Sequence, residues 1–255
     1  MIILLSPAKT LDYSSPLNVS LDTSIPIFEK ETNQLVRILK KLDVNEIKSL
    51  MHLSDKLAIL NEGRYKEFNK KYDSKNSRAA IMAFKGDVYT GLDTTTLSKE
   101  DLIFTNNHVR ILSGLYGILK PNDAMQPYRL EMGTKLTNKH GSNLYHFWGD
   151  KISNTLNKNL KAQGTDVIVN LASNEYFKVI NQKKLKAKVL DIDFREIKNG
   201  ELKFVSFFAK KARGLMTRFI IDHQITNPLD LRGFDYENYR YNEEGSTEDK
   251  YSFIR

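Results

Sequence analysis

Short apolar runs alternate along this chain with longer segments in which apolar residues recur at helical spacing. Runs of the first kind occupy residues 2–5, 109–112 and 167–171, and each has the length of a buried strand. Segments of the second kind cover residues 28–42 and 144–160, where apolar side chains return every three or four positions. A chain that alternates strands with helices buries both as an α/β fold, with helices packed on a sheet.

A late hairpin is predicted to make this sheet mixed. Lys188–Arg195 and Leu202–Phe208 have the composition of strands, and a Lys-Asn-Gly turn lies between them. We therefore expect an α/β fold with some α+β character, formed by one domain over residues 1–255 with a mixed sheet and flanking helices. A helical subregion is expected at about 28–70, and the polar segment 240–255 is predicted to be loosely ordered.

The absence of cysteine excludes several kinds of site. With no cysteine among 255 residues, the chain has no disulfide scaffold, no thiolate zinc or iron–sulfur site and no cysteine nucleophile. The motifs G-x-x-x-x-G-K-[ST], G-x-G-x-x-G, G-x-S-x-G and H-E-x-x-H are missing too, so we expect no cofactor and no metal site. No apolar stretch is long enough to span a bilayer, and the first residues lack the basic region of a signal peptide. The prediction is a cytoplasmic protein that does not bind membranes, with a monomer favoured.

The positive charge of the chain is concentrated in one region. The formal net charge is +8, and residues 183–218 carry eleven Lys or Arg against four acids, whereas residues 235–255 are net acidic. Within the segment KKARGLMTRFI, the apolar residues form one stripe of a helix and the cations fall on the opposite side. These cations are Lys210, Lys211, Arg213 and Arg218. The cluster either meets an anionic partner or belongs to a solvated surface, and the charge pattern leaves both open.

The segment 47–58 has the pattern of two helices joined by a tight turn. The turn falls at His52-Leu53-Ser54, and Ala58 follows four residues later. A helix-hairpin-helix motif has the spacing G-h-G-x-x-x-A, in which the apolar residue h anchors the hairpin and backbone N–H groups approach a phosphate. Leu53 and Ala58 fit this spacing, whereas His52 and Ser54 replace the glycines. An ordinary helical corner is the alternative interpretation.

Several distinctive blocks together cover most of the chain up to residue 221. They read SPAKTLDY (6–13), LSDKLA (53–58), AFKGDVYTGL (83–92), LSGLYGILKP (112–121), MQPYRLEMG (125–133), NLASNEYF (170–177) and KKARGLMTRFII (210–221). In this order the blocks resemble the YaaA peroxide-stress-response family. The resemblance implies a bacterial cytoplasmic protein that limits oxidative damage under hydrogen peroxide, is associated with low free intracellular iron, and binds DNA. It also implies a single-domain α/β fold with a helix-hairpin-helix element and a positively charged cleft.

The resemblance also implies which residues contact DNA. It places the hairpin at His52, Leu53, Ser54, Asp55, Lys56 and Ala58. Cations in the other blocks are expected to line the cleft: Lys9, Lys85, Arg129, Lys210, Lys211, Arg213 and Arg218. Tyrosines that interleave with these cations could stack on bases, and core packing is the alternative for each: Tyr13, Tyr89, Tyr116, Tyr128 and Tyr176.

Two functions remain open from the sequence. The first is a DNA-binding protein that protects duplex DNA, including distorted or damaged duplex, largely through phosphate contacts. The second is an enzyme that acts on nucleotides or nucleic-acid bases in the same cleft, as a glycosylase does. Glu131 or Glu175 would then be the acid or base, and a structural ion pair is the alternative for each.

Asp191 and Asp193 could share a divalent cation, although a solvated strand face explains them more simply. Direct iron sequestration is disfavoured, because thiolates and a His/His/carboxylate spacing are absent.

Overall fold

The computed structural model describes residues 1–17 and 21–255. Its strands are β1 (Ile2–Leu5), β2 (Thr10–Leu11), β3 (Arg78–Ala79), β4 (Phe84–Lys85), β5 (Val109–Ser113), β6 (Gly117–Leu119), β7 (Ala124–Met125), β8 (Val167–Leu171), β9 (Lys188–Lys198), β10 (Glu201–Lys203), β11 (Arg240–Thr247) and β12 (Lys250–Ile254). Its α-helices are α1 (Glu29–Leu39), α2 (Val44–Met51), α3 (Asp55–Glu67), α4 (Ala80–Ala83), α5 (Asp87–Leu92), α6 (Lys99–His108), α7 (Leu144–Trp148), α8 (Lys151–Gln163), α9 (Asn174–Phe177) and α10 (Ser206–Asp222).

One large mixed sheet organises the fold, which confirms the predicted α/β class. Its strand order is β11-β12-β9-β8-β1-β5-β6, and β10 pairs with β9 off this path. The pairs β1–β5, β1–β8, β8–β9 and β9–β12 are parallel, whereas β6 and β11 add antiparallel edges. Every residue of β1 is buried. This explains its continuous apolar run, because a parallel strand covered on both faces has no solvent side.

The chain leaves β1 and β8 in opposite directions across the sheet. The next strand of this sheet after β1 is β5 on one side, and the next strand after β8 is β9 on the other. In open α/β sheets, such a reversal leaves a crevice outside the carboxyl ends of the two neighbouring strands. The topology therefore points to the ends of β1 and β8 as the place of a site.

Helix α10 packs closely against α5 through two glycines. A side chain on Gly91 would collide with the Lys211 carbonyl oxygen, and one on Gly214 would collide with the Val88 carbonyl oxygen. The predicted apolar stripe of α10, which includes Met216, is buried except for Leu215, which is half-buried. Because both helix backbones are in contact, the polar side of α10 is held in one orientation.

The predicted hairpin is formed by β9 and β10, which pair antiparallel. Its turn uses the left-handed backbone region at Asn199 (φ 55°) and Gly200 (φ 79°), which these two residue types tolerate best. The second strand is shorter than predicted. It ends at Lys203 because α10 begins at Ser206.

The prediction of a loosely ordered tail is wrong. Residues 240–255 form β11 and β12, and β12 lies between β9 and β11 in the sheet. Tyr251 and Phe253 are buried, and Arg255 pairs with Glu196 at 3.0 Å. The segment is polar by composition, but its aromatic side chains alternate at the strand period, so that they share one face of β12 and reach the core.

The helices follow the sequence signals with one exception. Helices α1, α2 and α3 lie in the segment 28–70, and α6 begins with a capping box between Ser98 and Asp101. The stripe over 144–160 is divided into α7 and α8, because Gly149 has a φ of 48° and ends the first helix. Among the described residues, no helix combines the length and the apolar content needed to cross a membrane.

Candidate functional site

A cleft of about 1160 Å³ opens at the carboxyl ends of β1 and β8. Its walls include Ser6–Thr10 after β1, Ala172–Phe177 after β8, the start of α5 and the start of α10. Strand β9 adds the side chains of Asp191, Ile192, Asp193 and Arg195. The cleft therefore lies where the chain leaves two neighbouring strands in opposite directions, which is where open α/β sheets bind ligands.

Polar contacts connect the loop after β1 to the loop after β8, and the end of β8 to β9. Ser6 Oγ accepts a hydrogen bond from the Ser173 N–H at 2.9 Å and donates one to Ser173 Oγ at 3.3 Å. Asn170 accepts a hydrogen bond from the Ala172 N–H at 3.1 Å and donates one to Asp191 at 2.7 Å. The floor of the cleft is therefore one connected surface rather than a set of independent loops.

The cleft brings together charged residues that are far apart in the sequence. Those from the predicted set are Lys9, Lys85, Glu131, Glu175, Lys210 and Arg213. Those from outside the set are Asp87, Asp191, Asp193, Arg195 and Lys250. Six cations thus face five carboxylates, so the lining is not uniformly basic. What it can bind depends on which of these charges are already paired with one another.

Lys9 and Lys85 are paired with carboxylates of the protein. Lys9 Nζ lies 2.6 Å from Glu131, to which Arg129 also donates at 3.2 Å. Lys85 Nζ lies 3.1 Å from Asp12. Hydrogen bonds from neighbouring serines and from Lys85 hold the pKa of the Asp12 carboxyl far below its usual value, so this partner stays charged. Both lysines therefore add little net positive potential to the cleft, and Arg129 is not in its lining.

Both candidate acid–base carboxylates are held in place by the protein. Glu131 is half-buried and accepts from two cations, as described above. Glu175 is exposed, and its Oε1 accepts the Gly133 N–H at 2.9 Å. A side chain on Gly133 would approach this carboxylate to 3.1 Å, so the loop fits closely against it. Each glutamate thus has a structural partner and also faces the cleft.

Lys211 and Arg218 of α10 lie outside the cleft lining. Lys211 pairs with Glu237. Arg218 donates to Asp222 at 2.6 Å and to the Asp93 carbonyl oxygen at 3.3 Å. These two cations connect α10 to neighbouring segments, so the protein itself uses the charge that the family resemblance assigned to DNA.

Three cations of the predicted set have no carboxylate partner. Within residues 1–17 and 21–255, no carboxylate oxygen lies within 4.0 Å of the charged groups of Lys56, Lys210 or Arg213. Lys56 is exposed beside the α2–α3 turn, where Asp55 pairs instead with Lys48 at 2.5 Å. Lys210 and Arg213 face the cleft from α10. The uncompensated positive charge of the set is therefore found at the turn and at the α10 end of the cleft.

The turn between α2 and α3 is a tight helical corner. His52 has a φ of 51°, and the Leu53 N–H donates to the Lys48 carbonyl oxygen at 3.0 Å. Leu53 and Ala58 are buried, as the predicted anchor positions require. Ser54 is the N-cap of α3, but its side chain accepts no hydrogen bond, so the first N–H groups of α3 remain open to a ligand. None of the described residues that line the cleft belongs to this turn, so the two surfaces are separate.

The two surfaces lie in a part of the chain that a known family shares. The sequence model of peroxide stress protein YaaA matches residues 1–245. The chain belongs to this family. The match contains the α2–α3 turn and every cleft-lining residue except Lys250. Membership in the YaaA family places the protein in the peroxide stress response and confirms the resemblance of the sequence blocks.

In this YaaA family member, the tyrosines expected to stack on bases are mostly core residues. Tyr89, Tyr116, Tyr128 and Tyr176 are buried. Burial raises the pKa of Tyr128 and of Tyr176, so both phenols stay neutral. Tyr13 is half-buried and its hydroxyl donates to the carbonyl oxygen of a neighbouring strand at 2.6 Å. The core-packing alternative therefore explains the buried four.

The structure shows another aromatic side chain in the cleft, which the sequence patterns did not single out. Phe204 lines the cleft and is 51% exposed, and the Arg195 guanidinium lies 5.7 Å from its ring centroid. Phe204 stands between β10 and α10 and is not part of the apolar stripe of α10. The composition assigned Phe204 to a strand over Leu202–Phe208, and no signal in the sequence marked its ring as exposed.

The two aspartates that could have shared a cation have protein partners. Asp191 accepts from Asn170, and Asp193 accepts from Arg195 at 2.8 Å and lies 3.5 Å from Lys250. In the part of the chain that the structure describes, no three His, Asp or Glu side chains are grouped as metal ligands. A divalent cation would have to displace the present partners, so the solvated and ion-paired interpretation fits these residues better.

Proposed function

We propose that this member of the YaaA family acts in the peroxide stress response by binding DNA in the cytoplasm. Binding would protect the DNA from oxidative damage, alongside the low free iron that the family resemblance implies. The observation that carries the proposal is the position of the unpaired cations, Lys56 at the α2–α3 turn and Lys210 with Arg213 in the cleft wall. Each offers a phosphate a positive charge that the protein leaves uncompensated.

The α2–α3 turn would supply one phosphate contact. Helix α3 has 13 residues, and its first N–H groups carry no side-chain cap. A helix start of this kind has a partial positive charge and free donors, both of which favour a phosphate. Lys56 adds a full charge in the first turn, and the pairing of Asp55 with Lys48 reduces the repulsion that Asp55 would exert. The buried Leu53 and Ala58 keep the corner tight.

The test is the salt dependence of duplex binding, measured by fluorescence anisotropy at several salt concentrations. Three phosphate contacts predict a log–log slope of about −2.7. Lys56→Ala should weaken all duplex sequences alike and reduce the magnitude of the slope by about one. Lys158→Ala is the matched control, because Lys158 is an exposed helical lysine outside the turn and the cleft lining. A flat salt response, or equal effects of the two variants, would contradict the proposal.

A second function, an enzyme acting on nucleotides or nucleic-acid bases, is favoured by one observation. Glu131 and Glu175 line the same cleft as Lys210 and Arg213, so a bound nucleotide would lie near two carboxylates. General acid–base catalysis contributes about 10²- to 10⁴-fold in rate, so Glu131→Gln or Glu175→Gln should slow the reaction by that factor. Glu244→Gln, an exposed glutamate of β11, is the control.

The assay for this second function is product formation from nucleotides, intact duplex and damaged duplex. Base release or nucleotide hydrolysis that is lost in one glutamate variant and kept in the control would establish an enzyme. If no product forms from any of these substrates while duplex binding persists, the protein binds DNA without acting as an enzyme on these substrates.

A further inference from the structure

Arg213 carries a charge that the protein itself does not satisfy. Its side chain is half-buried in the cleft wall, and its backbone carbonyl accepts from Thr217 at 2.8 Å. Among the described residues, its guanidinium donates no hydrogen bond, and no carboxylate oxygen lies within 4.0 Å of it. Burial lowers the pKa of Arg213, which reflects the loss of water around the cation. A partly desolvated cation without a partner in the protein is less stable than a fully hydrated one, and an anion from outside the chain would offset that loss.

The carboxylate that attracts Arg213 is already paired with other cations. Asp193 attracts Arg213 from beyond 4.0 Å. It accepts from Arg195 at 2.8 Å and lies 3.5 Å from Lys250. These contacts keep Asp193 on the β9 side of the cleft, so that Arg213 remains available on the α10 side.

Helix α10 presents Arg213 together with a second unpaired cation. Ser206, Lys210 and Arg213 are spaced i, i+4 and i+7, which places them on one face of the helix, and all three line the cleft. Ala209 and Ala212 lie beside this face and are buried. The 17-residue helix also begins in the cleft without a side-chain cap, so its N–H groups add to the positive potential around the two cations.

An aromatic ring lies in the wall of the same cleft. Phe204 is 51% exposed, and its ring is flanked by the Arg195 guanidinium at 5.7 Å. A free phosphate would not use this apolar surface, and a cleft of about 1160 Å³ is much larger than a phosphate. A base attached to the phosphate would use both the apolar ring and the additional volume of the cleft, because bases stack on aromatic rings beside cations.

We propose that the α10 end of the cleft is a site for one phosphate group of a nucleotide, with Arg213 and Lys210 as its ligands and the Phe204 ring as the stacking surface for the attached base. This site deepens the proposed nucleic-acid function and rests on it for its biological role. The shared chemistry is a phosphate group, which could belong to a free nucleotide or to an unpaired nucleotide of a strand.

The test is calorimetric titration with three probes: a nucleoside 5′-monophosphate, inorganic phosphate and the uncharged nucleoside. The monophosphate should bind most tightly and the nucleoside most weakly. Arg213→Gln should weaken the monophosphate and inorganic phosphate about ten- to a hundredfold, the effect of losing charge-assisted hydrogen bonds. Arg37→Gln is the matched control, because Arg37 is an exposed helical arginine outside the cleft lining and should leave binding unchanged. Phe204→Ala should weaken only the monophosphate, by about tenfold.

A second measurement separates a ligand-binding arginine from a structural one. Without ligand, Arg213→Gln should keep or raise the unfolding midpoint, because it removes a partly desolvated charge that has no partner in the protein. A clear fall in the midpoint would assign Arg213 to the core and overturn the proposal. Monophosphate binding equal in Arg213→Gln and wild type, or no binding of either phosphate probe to wild type, would overturn it too.

Duplex and single-strand binding by the same preparations distinguishes this proposal from the proposed function. If the monophosphate binds through Arg213 but no nucleic acid binds, the site stands and the DNA proposal fails. If duplex binds with the expected salt slope but the monophosphate does not, the site fails and the DNA proposal stands. If a single-stranded oligonucleotide competes with the monophosphate in wild type, the site also accepts a nucleotide within a strand.

Discussion

Replacing Gly214 with alanine tests the close packing that orients the cationic face of α10. The added Cβ would collide with the Val88 carbonyl oxygen and would lie 2.8 Å from the Leu92 nitrogen. Both obstructing atoms are backbone atoms of α5, so no side chain can rotate away. The two helices would have to separate by on the order of 1 Å to restore ordinary contact distances.

The expected net cost of Gly214→Ala is about 2 kcal/mol. Overpacking a tight contact costs about 1–3 kcal/mol, and a clash with backbone atoms belongs at about 3 kcal/mol, the upper end. Alanine is also the better helix former, which returns about 1 kcal/mol at a position inside a helix. For a chain of this size, the net loss corresponds to a fall of about 4–8 °C in Tm.

The assay is urea unfolding followed by far-UV circular dichroism, with Gly63→Ala as the matched control. Gly63 lies inside α3, and a Cβ there would meet nothing within 4 Å. The same substitution should therefore stabilise the protein by about 1 kcal/mol at this position. The two variants should differ by about 3 kcal/mol in the free energy of unfolding at equal m-values. If Gly214→Ala were as stable as Gly63→Ala, α5 and α10 would not be in close contact.

Three further predictions concern stability. Arg255→Ala should cost about 3 kcal/mol in urea unfolding, because it leaves the carboxylate of Glu196 buried without its guanidinium. Adding Glu196→Gln should recover part of that loss, and an unchanged midpoint in the single variant would contradict the pairing. Burial lowers the pKa of His108. The free energy of unfolding should therefore be unaffected by His108 above its unfolded-state pKa of about 6.5, and it should decrease as the pH drops below that value, because the unfolded state takes up the proton first. His108→Gln should flatten this pH dependence. Ser98→Ala should cost about 1 kcal/mol by chemical denaturation through loss of the capping box, whereas Ser54→Ala should cost clearly less because Ser54 makes no side-chain cap bond.

Residue patterns predicted helices and strands well where the residues that determine the element lie within one short segment of the chain. The buried strands β1 and β8, the β9–β10 hairpin and the capped start of α6 were all recognisable from residue type and spacing. The segment 240–255 was wrongly predicted to be loosely ordered, because its polar composition was given more weight than the strand-like alternation of its aromatic residues. Strand β12 is stabilised by pairing with β9, a partner distant in the sequence, and β11 pairs with β12.

The candidate site was predicted as a set of residues but not as an arrangement. Lys9 and Lys85 do reach the cleft, but Glu131 and Asp12 compensate their charges. Phe204 was overlooked, because no periodic pattern marks a ring that the fold leaves exposed in a cleft. Burial and pairing depend on distances through space, and a single sequence does not contain them.

The sequence by itself determined the α/β class, the order of the main elements and the membership in the YaaA family, because these depend on local spacing and on blocks of residue identity. Only the tertiary structure decided which charges are free. The sequence placed Lys210, Lys211, Arg213 and Arg218 in one cluster opposite the apolar stripe of α10. In the fold, Lys211 pairs with Glu237, and Arg218 meets Asp222 of its own helix and the Asp93 carbonyl of a neighbouring segment. Lys210 and Arg213 face the cleft, and no carboxylate oxygen of the described residues lies within 4.0 Å of their charged groups. Different segments pack against different sides of α10, and each supplies its own partners. Some cations of its polar face are therefore paired, whereas others remain free.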